Sequence, residues 1–137
     1  CIRDRSKFGE KIFSELRSKI SEGIEVPGSS LTVGPFNVAI LVRGAARKVR
    51  SGLEQRDAAI KVGALGATTL VFRDNRLIMP GVGEDILRDA SAICDLLVSK
   101  LGPKENDVII IGSANDRQVA EFGAKMAALE LLKSKER

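Results

Sequence analysis

Residues 106–123 read Asn-Asp-Val-Ile-Ile-Ile-Gly-Ser-Ala-Asn-Asp-Arg-Gln-Val-Ala-Glu-Phe-Gly, and this stretch decides the predicted fold. Four consecutive β-branched residues, Val108 to Ile111, predict a strand that is buried on both faces. Gly112 and Ser113 follow directly and predict a turn into a helix. A strand that turns into a helix is typical of α/β folds, in which ligands bind beyond the carboxyl ends of the strands. We therefore expect a ligand site at this corner.

The remaining strands decide the class of the predicted sheet. Phe36 to Val42 is almost wholly apolar and is predicted to be central, and Thr68 to Phe72 forms the next strand. Turn residues at Arg73 to Arg76 predict a hairpin that returns Leu77 to Met79 as an antiparallel partner, and Leu31 to Val33 predicts a short edge strand. Helical patterns alternate with the three main strands, which favours an α/β layered domain with a mainly parallel sheet of about four or five strands. The alternative is an α+β arrangement with helices on one face only.

Helical periodicity predicts how the rest of the chain is organised. The last predicted helix is expected to bury Val119, Phe122, Met126, Leu129 and Leu132, while its alanines suit close approach by a second copy. The whole chain is predicted to be a single domain, with an N-terminal helical segment (1–24), a connector rich in Pro, Gly and Ser (25–30) and an α/β core (31–137). The predicted helices span residues 3–22, 45–62, 84–101 and 114–133.

Composition limits the chemistry that this chain of 137 residues is expected to perform. Histidine, tryptophan and tyrosine are absent, so the commonest general base and metal ligand and two base-stacking side chains are missing. Cys1 and Cys94 suggest neither a disulfide framework nor a zinc site, and no metal is predicted. No apolar run has the length of about 18 residues that a membrane helix requires, so we expect a cytoplasmic protein without a membrane partner.

Charge is distributed unevenly along the sequence. Residues 1–76 carry 14 Lys or Arg against 8 Asp or Glu, whereas residues 77–137 carry 8 against 10, so the halves have net charges of +6 and −2. An anionic partner is therefore expected to contact the first half.

The corner after the 108–111 strand is the first candidate site. Gly112 permits close approach of a ligand, Ser113 and the first free amides of the helix suit a phosphate or carboxylate, and Asn115 and Asp116 suit a polar group. A purely structural alternative exists, because Ser113 and Asp116 have the Ser-x-x-Asp spacing of a capping box.

A second candidate site follows the 36–42 strand. It contains Arg43, Gly44 and Arg47, with Lys48 and Arg50 close behind and no acid between them. Cations at a helix N-terminus oppose the helix dipole, so local stability does not explain the cluster, which indicates anion binding. A solvated helix face is the alternative, and the phosphate-loop motif Gly-x-x-x-x-Gly-Lys-Ser/Thr is absent.

Two acidic segments complete the search for chemistry. Glu84 and Asp85 follow a Gly-x-Gly segment that lacks the third glycine of a dinucleotide loop, so they are predicted to supply charge at a helix start. Asp74 lies in the predicted hairpin turn, where most such residues only shape the turn.

The sequence thus predicts a homo-oligomeric protein that binds a small anion, such as a nucleotide or phosphorylated metabolite, with group transfer as the expected reaction if the protein is an enzyme. Arg43 and Arg47 would pair with the anion, Gly44, Gly112 and Ser113 would contact it closely, and Asn115 would select a polar group. Asp116 or Asp74 would act as the base; no cofactor is identified. Two alternatives remain open: nucleic-acid binding through the basic half, and a structural or assembly module without a catalytic site.

Overall fold

The computed structural model describes residues 20–21, 23–27, 34–49, 53–74, 76–79 and 91–133. The predicted helix over 3–22, the predicted strand at Leu31 to Val33 and the start of the predicted helix at 84 lie mostly or wholly outside these residues. Ile20 lies near the end of the predicted 3–22 helix, but it forms an isolated β-bridge with Val42. The predicted helix therefore does not extend to Ile20. No helix among the described residues is long and apolar enough to cross a membrane.

The described elements are β1 (Ile24–Glu25), β2 (Phe36–Val42), α1 (Leu53–Lys61), β3 (Gly66–Arg73), β4 (Arg76–Ile78), α2 (Ser91–Leu101), β5 (Val108–Ala114) and α3 (Arg117–Lys133). The five described strands form one sheet, in the order β1-β2-β5-β3-β4. A 3-10 turn at Ala46–Lys48 follows β2, and the extended backbone of Val49 after it means that the predicted 45–62 helix does not form as one piece.

Every strand pair in this sheet is antiparallel, so the predicted mainly parallel α/β sheet is wrong. β2 and β3 run in the same direction, as the helical crossover between them requires, but β5 lies between them and runs the opposite way. The alternative α+β class fits. The predicted hairpin is confirmed, since Arg73 pairs with Arg76 and Asp74 adopts the left-handed φ of +54° that such turns use.

Helices cover both faces of the sheet, unlike the one-faced arrangement of the α+β alternative. Ile40, Val42 and Ile110 face α3, and we call this side the α3 face. The alternate residues Leu41, Ile109 and Ile111 face Ile93 and Leu97 of α2, and we call this side the α2 face. This double burial explains why β2 and β5 are continuous apolar runs in an antiparallel sheet.

Helix α3 packs on the sheet through its small residues rather than its large ones. The buried residues of the helix are Ala120, Gly123, Ala124, Ala127, Ala128 and Leu131. Phe122, which was predicted to be buried, is 51% exposed, and Val119 and Met126 are only partly buried. The alanine face predicted to bind a second copy is therefore occupied by the protein's own sheet.

Gly112 shows how close this packing is. A Cβ atom at this position would lie 2.2 Å from the carbonyl oxygen of Ala120 and 2.8 Å from the backbone nitrogen of Ala124. Only glycine lets α3 approach β5 at this distance, so Gly112 is explained by packing between a helix and a strand.

Candidate functional site

The two halves of the predicted site lie at opposite ends of the sheet. Phe36 pairs with Ala114 and Val42 pairs with Val108, so the carboxyl end of β2 lies beside the amino end of β5. With a rise of about 3.4 Å per residue, the two predicted halves are separated by roughly 20 Å along β5. A single site at the carboxyl ends of both strands is therefore not formed.

Gly112 and Ser113 do not form the predicted turn, because both belong to β5. The Ser113 side chain is fully buried, and its Oγ donates to Asn37 Oδ1 at 2.7 Å. Asn37 in turn donates through Nδ2 to the carbonyl of Gly34 at 3.0 Å. These contacts hold β2 and β5 together at a polar position within the sheet, and the capping box predicted at Ser113 is wrong.

Asp116 is the residue that caps α3. Its Oδ1 accepts hydrogen bonds from the backbone N–H of Gln118 at 2.7 Å and of Val119 at 3.3 Å. Asn115 and Asp116 are both exposed at the end of the sheet that is remote from Arg43. Asp116 therefore has a structural role that needs no ligand.

The other end of the sheet is organised by Asp107, which no sequence motif singled out. Asp107 is only 5% exposed. Its Oδ1 accepts from the backbone N–H of Gly44 at 2.8 Å, and its Oδ2 accepts from the backbone N–H of Lys104 at 2.8 Å. The Phe72 N–H donates to the Asp107 carbonyl at 2.9 Å. The buried carboxyl group of Asp107 thus joins the end of β2 to the loop before β5, and its backbone carbonyl joins the same loop to the end of β3. An acid directly before a buried strand was the only sequence signal for it.

Gly44 serves this arrangement through its backbone. Its φ of +64° lies in the left-handed region, and a Cβ atom there would meet no atom within 4 Å. The amide of Gly44 is already bonded to Asp107, so its contribution is a tight turn that presents Arg43 to solvent.

Six cations gather at this end of the sheet, and we call them the basic end. Within the described part of the chain, five of the six form no ion pair, and four of these five are exposed: Arg43, Arg47, Arg73 and Lys104. Lys48 Nζ donates to the Leu132 carbonyl at 2.8 Å, which holds the 3-10 turn against α3. The six residues are Arg43, Arg47, Lys48, Arg73, Arg76 and Lys104.

Three carboxylates accompany these cations. Asp107 is satisfied by backbone amides, and Glu105 accepts from the backbone N–H of Asp74 at 3.1 Å. Asp74 is exposed in the hairpin turn at the basic end. Of the two predicted bases, Asp74 therefore lies at the basic end and Asp116 lies at the other end of the sheet. The described residues include no cluster of three or more His, Cys, Asp or Glu that could hold a metal ion.

Two grooves among the described residues lie elsewhere. One of about 290 Å³ runs between α1 and α3, and the other, of about 510 Å³, lies beside β1 and α2, where Arg117 pairs with Glu25. None of the predicted site residues lines either groove.

Comparison with known proteins identifies a family and a related fold. The model of the family described as "Domain of unknown function (DUF4443)" matches residues 33–131. Among solved structures, the chain is similar to the hypothetical protein PH0730 from Pyrococcus horikoshii OT3, with 28% identity and a TM-score of 0.62. The match covers 91% of this chain and 68% of that chain. No curated protein matches the chain significantly.

Proposed function

We propose that this chain, which belongs to the DUF4443 family, binds a small phosphorylated anion at the basic end of its sheet. The observation that supports the proposal is a group of four exposed cations that form no ion pair in the part of the chain that the structure describes, Arg43, Arg47, Arg73 and Lys104. The nearby buried acid Asp107 does not neutralise them through side-chain pairing, because both of its oxygens accept from backbone amides.

Electrostatics favours the binding of an anion at this end of the sheet. Like charges brought together repel one another, and the repulsion weakens only as solvent and salt screen it. Arginine is suited to phosphate because its planar guanidinium donates two parallel hydrogen bonds to one anion. Since the Gly44 amide is bonded to Asp107, the proposed contacts come from the side chains of Arg43 and Arg47 rather than from that amide.

Group transfer would require a base near the bound anion. Of the two predicted bases, Asp74 lies in the hairpin at the basic end and Asp116 caps α3 at the other end. Asp74 is therefore the residue that we assign to this role if the bound ligand reacts.

Nucleic-acid binding is the second candidate, and the width of the basic end favours it. The cations follow or precede four adjacent strands, β2, β5, β3 and β4, which span about 14 Å at 4.8 Å per strand. That width suits more than one phosphate of a polynucleotide. Base stacking argues against it, because the exposed aromatic rings among the described residues lie elsewhere: Phe36 pairs with Ala114 at the opposite end, and Phe122 lies on α3.

An assembly module without a ligand is less well supported. That function predicts cations scattered away from the strand ends, whereas five of the seven described cations of the first half lie beside the end of β2 and the β3–β4 hairpin, the other two being on α1.

Isothermal titration of the purified protein with pyrophosphate, AMP and ribose 5-phosphate tests the proposal. Hydrogen bonds to charged groups contribute about 1.5–3 kcal/mol each, so the Arg43→Ala, Arg47→Ala double variant should bind at least about 100-fold more weakly. An Arg117→Ala, Lys125→Ala double variant removes the same charge from the part of α3 remote from the basic end and should bind as the wild type does.

Two results would contradict the proposal. Equal affinity of the arginine variant and the wild type would show that the basic end is not the site. Binding only to a short RNA, with an affinity that falls steeply between low and moderate salt, would transfer the assignment to nucleic acid.

A further inference from the structure

Two buried polar atoms of the described residues on the α3 face have no hydrogen-bond partner. The Gln55 side chain on α1 is 1% exposed and the Thr69 side chain on β3 is 4% exposed. Within the described part of the chain, neither Gln55 Oε1 nor Thr69 Oγ1 forms a hydrogen bond. A buried polar atom without a partner reduces stability, so each such atom requires an explanation.

The fold places these two side chains in the same part of the interface between α1 and β3. Ala67 of β3 packs against the cluster that contains Ala59 of α1, and α1 runs antiparallel to β3 because residues 62–65 connect them directly. Gln55 precedes Ala59 by one helical turn, about 6 Å along α1. Thr69 follows Ala67 by two residues, about 6.6 Å along β3 on the same face. Both steps lead away from the 62–65 connection and have nearly equal lengths. Gln55 and Thr69 therefore lie at about the same level of the interface between α1 and β3.

This position lies next to the basic end. Thr69 pairs with Ile110, two residues inward from the Val71 and Val108 pair, and Asp107 directly precedes Val108. The 3-10 turn that carries Arg47 covers the same face of the sheet, because Ala46 belongs to the same hydrophobic cluster as Val71. Thr69 lies about 7 Å along β3 from Val71, so a ligand that extends from Arg47 across this face toward the centre of the sheet would approach Thr69.

The two atoms define what such a ligand must offer. Gln55 Oε1 can only accept a hydrogen bond, whereas the Thr69 hydroxyl can donate or accept. Valine or leucine would fill the same space without the loss of a hydrogen bond, so packing does not account for either polar atom. A hydroxyl or amino group satisfies both.

We infer that Gln55 and Thr69 form a specificity position for the hydroxyl- or amino-bearing part of the phosphorylated ligand. This inference rests on the proposed function. Since both atoms are closed off from solvent, the ligand reaches them when the first turn of α1 moves away from β3. Phosphate binding by the arginines and recognition of the donor group by Gln55 and Thr69 are then separable contributions to affinity.

The experiment compares the affinities of methyl phosphate and ribose 5-phosphate by isothermal titration. The wild type should prefer ribose 5-phosphate, and Thr69→Val and Gln55→Met should each reduce that preference about five- to tenfold without changing the affinity for methyl phosphate. Thr69→Val is nearly isosteric and should fold. Thr68→Val is the matched control, since Thr68 lies on the α2 face, pairs with Ile111 and should leave the preference unchanged.

The other possible outcomes would overturn either the specificity position or the proposed function. If methyl phosphate binds but the preference for ribose 5-phosphate is absent or persists in both variants, the specificity position is wrong and the proposed function stands. A preference that persists while both variants unfold at a higher temperature would show that the two atoms are only unsatisfied polar groups of the core, which also overturns the inference. If no phosphate compound binds the wild type, the proposed function fails and this inference fails with it.

Discussion

Replacing Gly112 with alanine should destabilise the domain more than any ordinary surface substitution. The added Cβ atom would lie 2.2 Å from the Ala120 carbonyl oxygen and 3.0 Å from the Ala124 Cβ atom. An ordinary contact between a carbon and an oxygen is longer by about 1 Å, so α3 must move away from β5 by about that distance. Helix backbone cannot avoid the clash by changing a rotamer.

The cost follows from what the movement disrupts. Overpacking of a well-packed core typically costs about 1–3 kcal/mol and occasionally more, and here the alanine face of α3 separates from the sheet as a unit. We therefore expect Gly112→Ala to lose about 3 kcal/mol of unfolding free energy. For a domain of this size that loss corresponds to a decrease of roughly 10 °C in Tm.

Urea unfolding followed by circular dichroism measures this loss as a lower midpoint with an unchanged slope. Gly102→Ala is the control, because Gly102 has a φ of +58° but an added Cβ atom there would meet only open space. It should lose only the cost of the left-handed conformation, about 1–2 kcal/mol. A loss below about 1 kcal/mol for Gly112→Ala would refute the close packing of α3 on β5.

Two further predictions concern a helix cap and a thiol. Asp116→Ala should lose about 1 kcal/mol of stability, because the amides of Gln118 and Val119 lose their acceptor, and Asp116→Ser should retain most of it in the same urea measurement. An alanine variant as stable as the wild type would contradict the cap. Burial, with a smaller contribution from the charge of Asp95, raises the pKa of the Cys94 thiol. Less thiolate is therefore present at neutral pH, and alkylation of Cys94 in a Cys1→Ser variant should be slower than in urea and should accelerate as the pH rises. Equal rates for the folded and unfolded protein at pH 7 would contradict this prediction.

Local sequence patterns predicted the individual elements well. The run Val108 to Ile111 is the centre of β5, and Thr68 to Phe72 lies within β3. The hairpin between Arg73 and Arg76 forms as predicted. These features depend on neighbouring residues alone: apolar β-branched runs favour buried strands, and Asp tolerates the positive φ of a tight turn.

Strand direction and the buried side of α3 were predicted wrongly. A strand that is buried on both faces has the same apolar run whether its neighbours are parallel or antiparallel, so β5 contained no sign that it inserts between β2 and β3. In α3, the larger side chains, including Phe122, suggested the core face. The close approach at Gly112 instead leaves room only for alanines.

By itself, the sequence determined the strands β2, β3 and β5, the β3–β4 hairpin and the basic character of the first half, because these follow from residue type and spacing. Only the tertiary structure decided which residues meet. Antiparallel pairing of β2 with β5 places Arg43 and Arg47 beside Asp107 and separates them from Ser113 and Asp116 by the length of a strand. The physical reason is that pairing between strands distant in sequence depends on the packing of the whole domain, which no local pattern specifies.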